Sequence, residues 1–377
     1  MVVASAQPSR EGPEILAVFS STTIAMEVSN FRCTRRVHRS FALAAVLAAL
    51  ALASVACCAQ GGERTFDLHG YGQFAQIKNE SAPGGSFELD YSLSALGVWR
   101  MRPDMRAWLQ LARYKEAGNR LEWAFLDWDV SGTTTARLGQ MRVPMGLINE
   151  ARDVQTLRNA ITMPMLYDEK HGLVDEAMRG VLVEHRREAL DAGALIAETY
   201  AAGSMVSNEH SSGASARIVG GRLQWTPPSS AWGFALSGYA GRQASSELGA
   251  APGHSARHAL VLSAKRRVMD WDVGAEVGAG RTGEGRVRVG YLQADRELGS
   301  QAAFFARAES THRRAEEEDA AEWHNRFVLG LAWKPSARWG FRFEAAANRA
   351  SSTEPASSAA PLRSRWNDVG VSFNFYL

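Results

Sequence analysis

Beyond Cys58 the chain has no cysteine; its 3 cysteines, Cys33, Cys57 and Cys58, crowd into the N-terminal part of a 377-residue sequence. The body can therefore hold neither a disulfide framework nor a thiolate metal site. From Gly61 to Leu377 it also lacks any apolar run long enough for a spanning helix, so a membrane role there must be carried by strands. An excess of charge of one sign is missing too. The 42 Lys and Arg and 40 Asp and Glu leave a net charge of +2 with no basic stripe, which removes the electrostatic reason to expect a nucleic-acid partner.

What is present begins with a secretory pattern over residues 35–59. Arg35, Arg36, His38 and Arg39 form a basic region, an apolar run follows from Phe41 to Ala53, and small residues lead to Ala56 or Ala59 as cleavage points. Residues 1–34 read as an extension, with Met26 as the expected translation start. A retained anchor or a lipid on Cys57 is the alternative reading of the same run, and Ser54 stands where lipid attachment usually has a larger aliphatic residue.

The body, residues 60–377, is a ladder of short alternating segments. Val369, Val371, Phe373, Phe375 and Leu377 share one parity, with Asp368, Gly370, Ser372, Asn374 and Tyr376 on the other. That is the period of a strand with one oily and one wet face. Trp339, Phe341 and Phe343 against Gly340, Arg342 and Glu344 repeat it. Segments of this kind, about ten residues each, number about 16. Every second connection is tight, as at Arg102-Pro103-Asp104, Ser131-Gly132, Pro227-Pro228, Met269-Asp270, Gly299-Ser300 and Pro335-Ser336. Several of the others are long, above all residues 143–176. Short turns at one rim and long loops at the other describe an all-β, antiparallel transmembrane barrel with periplasmic turns and extracellular loops; a soluble sandwich has no reason to sort its connections this way. Trp99, Trp108, Trp128, Trp225, Trp232, Trp271, Trp333 and Trp339 lie near the tight turns and read as an aromatic girdle.

A barrel of this size is too wide for its own side chains to fill. The polar parity predicts a lumen wall containing Arg286, Arg288, Arg307, Glu309, Arg342 and Glu344, with Asp272 and Glu276. The 143–176 loop carries Glu150, Arg152, Asp153, Arg158, Tyr167, Asp168, Glu169, Lys170 and His171, enough fixed charge to build a selective constriction if it folds inward. The expected constriction residues are Arg152, Asp153 and Arg158, with Arg142 and Arg179 at the roots.

The stretch Arg137-Leu138-Gly139-Gln140-Met141-Arg142-Val143-Pro144-Met145-Gly146-Leu147, then Asn149-Glu150-Ala151-Arg152-Asp153, resembles the approach to the third loop in phosphate-selective porins of the O and P type. Pro164, Tyr167 and Met178-Arg179-Gly180 are similar as well. The resemblance implies a trimeric porin of 16 strands whose third loop enters the lumen, residing in outer-membrane lipid and lipopolysaccharide and inserted by the barrel assembly machinery. The chain departs from it in ending on Leu377 rather than phenylalanine, although Phe373, Phe375 and Tyr376 keep an aromatic terminus, and in lacking a lysine cluster, so phosphate is not implied as the solute.

The expected function is passive diffusion of small polar solutes or ions, without cofactor, metal or catalysis. Other classes remain as alternatives: a receptor or adhesin built on the loops, or a phospholipase-like barrel for which His185 is the best candidate residue. The run Glu316-Glu317-Glu318-Asp319 reads as a solvated loop or a bridge to lipopolysaccharide through divalent cations, and His312, Glu322 and His324 show no metal-ligand spacing.

Overall fold

The computed structural model describes residues 65–79, 87–152, 158–168, 173–189, 193–206, 214–228, 232–244, 254–282, 285–315, 321–353 and 362–377. The presequence, Asp153, Glu169, Lys170, His171 and the acidic run 316–319 lie outside the described residues.

The alternating segments form 16 strands: β1 (Phe66–Asn79), β2 (Phe87–Arg102), β3 (Met105–Tyr114), β4 (Gly118–Ser131), β5 (Thr134–Arg142), β6 (Ala177–Ala189), β7 (Gly193–Val206), β8 (Ala214–Thr226), β9 (Trp232–Ala244), β10 (His254–Val268), β11 (Trp271–Thr282), β12 (Gly285–Glu297), β13 (Ala302–Ala315), β14 (Ala321–Ser336), β15 (Trp339–Thr353) and β16 (Leu362–Tyr376). Each pairs antiparallel with its sequence neighbours, and β1 closes on β16 through Tyr71↔Tyr376, Phe74↔Phe373 and Asn79↔Asp368. Closure satisfies the backbone groups that an open edge would expose to lipid, which is what lets a sheet cross a membrane.

The outer parity is apolar and exposed: Leu109, Leu138, Val219, Leu260, Val277 and Phe343 are among its residues. Trp99, Trp128, Trp225, Trp232, Trp333 and Trp339 are exposed on the same face near the tight turns, as a girdle requires. Trp108 departs from that expectation. It stands opposite Val98, which is buried, and stacks on Phe125 inside the barrel.

A second departure concerns the inner wall. Where the 143–176 loop lies against it, the inward parity is apolar: Met178 and Leu182 of β6, Ile218 of β8, Tyr239 of β9, Val261 of β10, and Val287, Val289 and Tyr291 of β12 form one buried cluster with Val143, Met145, Met165, Leu166, Tyr167 and Leu173 of the loop. That part of the barrel has a dry core, and strands covered on both sides no longer read oily-out and wet-in.

Candidate functional site

The loop is clamped where it leaves and rejoins the wall. Between β3 and β4 the register shifts, so that Gln110 pairs with Trp123 and Leu111 with Leu121, leaving Glu122 as an extra, buried residue. Glu122 receives Arg142 at 2.7 Å, and the same guanidinium reaches Glu176 at 2.6 Å from the far end of the loop. Burial opposes ionisation of Glu176, but Arg142 and Arg152 hold its carboxyl below the usual range. Asn149 Nδ2 donates to the carbonyl oxygens of Val143 (2.8 Å), Asp175 (3.2 Å) and Glu176 (3.3 Å), tying both roots together.

From there charged residues of the wall hold the loop across the barrel. Arg222 donates to Gly146 O at 3.0 Å and to the Glu150 carboxylate at 2.6 Å, while Glu198 supports it at 2.5 Å. Glu276 is a fully buried hub: its carboxylate accepts Leu147 N (2.8 Å), Tyr167 Oη (2.5 Å), Ser263 Oγ (2.5 Å) and Tyr291 Oη (2.5 Å). Burial, then the neighbouring Glu276 charge, push the Tyr167 phenol well above its ordinary range, so it stays a neutral donor. Glu309 accepts Met165 N at 2.6 Å and pairs with Arg307 (2.9 Å) and Arg326 (2.7 Å). Glu344 accepts Ile161 N (2.8 Å) and Thr162 N (3.1 Å), and also the Thr162 hydroxyl. Arg326 reaches Met163 O at 2.7 Å. The loop thus runs from β5 to the β13–β15 wall and back past β12 and β10 to β6.

This arrangement places the expected site residues as follows. Arg142 is at the loop root, in the buried pair already described. Arg152 closes the 3-10 turn Asn149–Ala151, and Arg158 follows in the loop; Asp153 is not among the described residues. Arg158 is held down to about 10, by burial first and then by the guanidiniums of Arg152 and Arg307. It is still cationic at neutral pH, with Arg152, Arg307 and the Glu344 carboxylate as its charged neighbours. Of the expected wall residues, Arg307, Glu309 and Glu344 face inward and engage the loop, and Arg342 is buried with its Nη1 3.0 Å from Asn374 Oδ1.

Three expectations are corrected. Arg179 is no constriction root: Met178 takes the inward position, fully buried, and Arg179 is exposed on the outer face with its Nε donating to Gln140 Oε1 at 2.8 Å. Arg286 and Arg288 are not lumen residues either. They are exposed and point outward at the loop end of β12, because Val287, Val289 and Tyr291 occupy the inward parity under the loop. Both corrections have one cause: where apolar loop residues pack on the wall, apolar side chains take the inward parity and the neighbouring arginines fall on the other.

Two anchors escaped the sequence reading. Arg222 carried a usable signal, sharing a parity with Ile218 and Gln224, whereas Glu122 carried none, since the bulge resets the alternation at that point. His185 is exposed on the outer face with Nδ1 3.0 Å from Thr134 Oγ1. Among the described residues no group of three or more acidic, histidine or cysteine side chains is placed to hold a metal ion.

The barrel is similar to several solved structures. OmpT, an outer membrane protein of Vibrio cholerae, shares 10% identity, with 83% of this chain and 97% of that chain covered and a TM-score of 0.57. An anion-selective porin from Comamonas acidovorans shares 14% identity over 83% of this chain and 99% of its own, with a TM-score of 0.58. The outer membrane channel DcaP of Acinetobacter baumannii shares 10% identity over 83% and 97%, with a TM-score of 0.56. The fold is that of an outer-membrane porin. At these identities the likeness to such porins is one of fold alone. No protein-family model matches the chain, and no curated protein is similar to it in sequence.

Proposed function

We propose that the chain is a passive diffusion porin for small polar solutes, with an electropositive constriction that favours anions. The observation that carries this reading is the loop crossing the lumen with Arg158 set beside Arg152 and Arg307. A barrel of 16 strands leaves an aqueous lumen unless something narrows it. Fixed charge at the narrowed point raises the local concentration of counter-ions and repels co-ions, which is selectivity without energy input.

Arg152, Asp153 and Arg158 are assigned to the constriction and Arg142 to its root. The resemblance of residues 137–153 to phosphate-selective porins supports the loop assignment, and the arginines supply the charge without fixing the anion. A homotrimer is the proposed assembly, in keeping with that resemblance.

Reversal potential of the refolded chain in a planar bilayer under a salt gradient tests the reading. The native channel should favour chloride over potassium, and replacing both Arg152 and Arg158 by Ala should shift the reversal potential towards cation preference. A reversal potential unmoved by the double substitution overturns the assignment.

A further inference from the structure

The lumen contains an aromatic face that the anion pathway does not use. Trp108 of β3 and Phe125 of β4 are cross-strand neighbours with ring centroids 5.9 Å apart and planes inclined by only 10°, and Trp123 follows at 6.4 Å from Phe125 with its plane turned by 54°. Trp123 shares the parity of Phe125 and faces inward by plain alternation, and the bulge places Glu122 on the same face beside it. The three rings open onto a cavity of about 260 Å³ bounded by Asp127, Arg137 and Met141 of the wall, Arg142 and, from the loop, Glu150. The three rings are half-buried, Phe125 partly against the loop core, and the surface they leave uncovered inside the lumen is what a ligand would cover.

The rim says which ligand. Every charge around the cavity is already paired: Asp127 with Arg106 at 3.0 Å and Arg137 at 3.3 Å, Arg137 also with Glu184 at 3.1 Å, Arg142 with Glu122 and Glu176, and Glu150 with Arg222 at 2.6 Å. An anion or cation would find no uncompensated partner here. Paired carboxylates still have free lone pairs, and the indole N–H groups of Trp108 and Trp123 are buried without a hydrogen-bond partner among the described residues. An apolar face ringed by neutralised acceptors, with two unpartnered indole N–H groups buried behind it, matches a molecule with C–H bonds on one side and hydroxyls around its edge.

We propose that the Trp108–Phe125–Trp123 face is a binding site for a neutral sugar, of a size that seats one pyranose ring at a time. The site lies between the short-turn end of β3 and β4 and the root of the loop, so a sugar bound there occupies the lumen and interrupts ion flow. The inference rests on the porin reading only for the route by which the sugar arrives.

The experiment is current block by maltose. In a planar bilayer, maltose should interrupt the open-channel current in a concentration-dependent way. Trp108→Leu and Phe125→Leu keep an apolar side chain but remove a ring, and each should raise the half-blocking concentration about five- to tenfold, measured against that variant's own open current. Absence of block by maltose, or block indifferent to both substitutions, overturns the proposal; so does block by phenol with none by maltose, which would make the face a site for aromatic solutes. Tryptophan fluorescence of the refolded barrel in detergent, titrated with maltose, separates the two readings. A saturable change lost in Trp108→Leu, from a barrel that carries no current, would retain the sugar site and sink the channel.

Discussion

Gly146 shows how narrow the tolerance is at the point where the loop meets the wall. Its φ is +64°, a left-handed conformation that other residues enter at a cost, and an added Cβ would stand 2.0 Å from Tyr167 Oη and 2.7 Å from Glu276 Oε1. Neither of those atoms is free to retreat, since Tyr167 Oη also accepts Leu147 N at 3.0 Å and Glu276 holds four donors. Gly146→Ala should therefore displace Leu147 and Tyr167 together, at a cost of roughly 1–3 kcal/mol in loop attachment. Limited proteolysis of the refolded barrel reads this directly: cleavage within residues 143–176 should quicken while the barrel itself keeps its heat-modifiable migration. Cleavage at the native rate would mean that the glycine is not what seats the loop.

At the scale of the element, the loop is less a lid than an internal wall with its own core and its own charged fixings. Its apolar half, Met165, Leu166, Tyr167 and Leu173, is buried against β8–β12, and the backbone N–H groups of Ile161, Thr162 and Met165 are held by Glu344 and Glu309. Glu309→Ala removes the acceptor shared by Arg307, Arg326 and Met165 N, and Glu344→Ala the one shared by Ile161 N and Thr162 N, each loss costing on the order of 1–3 kcal/mol. The segment Ile161–Met165 should then detach, giving larger and noisier single-channel steps; steps of native size would show that the apolar half alone holds the loop. The strand ladder, its order and the presence of this long loop were legible in the sequence because alternation and turn spacing are local. Which way β12 faces was not. Val287 and Arg288 alternate as any pair does, and only the loop, more than a hundred residues earlier in the chain, decides that the valine turns inward. Glu122 was hidden for a different reason, a bulge that resets the parity at that one residue.

For the whole molecule the decisive contact is the last one to form in sequence terms. β16 joins β1 through nine residue pairs, from Tyr71↔Tyr376 to Asn79↔Asp368, and Leu377 exchanges backbone hydrogen bonds with Gly70 in both directions, at 3.2 and 2.7 Å. The aromatic residues that end the chain also seat the short-turn rim, where Phe373 and Phe375 contact Trp339, Phe341 and Phe74. Loss of residues 373–377 would remove the pairs from Tyr71 to Phe74 and open two strand ends inside the hydrocarbon, where an unpaired backbone group costs several kcal/mol. The truncated chain should fail to give the compact, heat-modifiable band on refolding into detergent or lipid, even though the loop and every residue of the constriction are still present. Substituting Leu377 by Phe, by contrast, keeps all these pairs and should refold as the native chain does. If the truncation folded normally, closure through β16 would not be what commits the sheet to a barrel, and the loop core shared by β6–β12 would have to be the part that organises it.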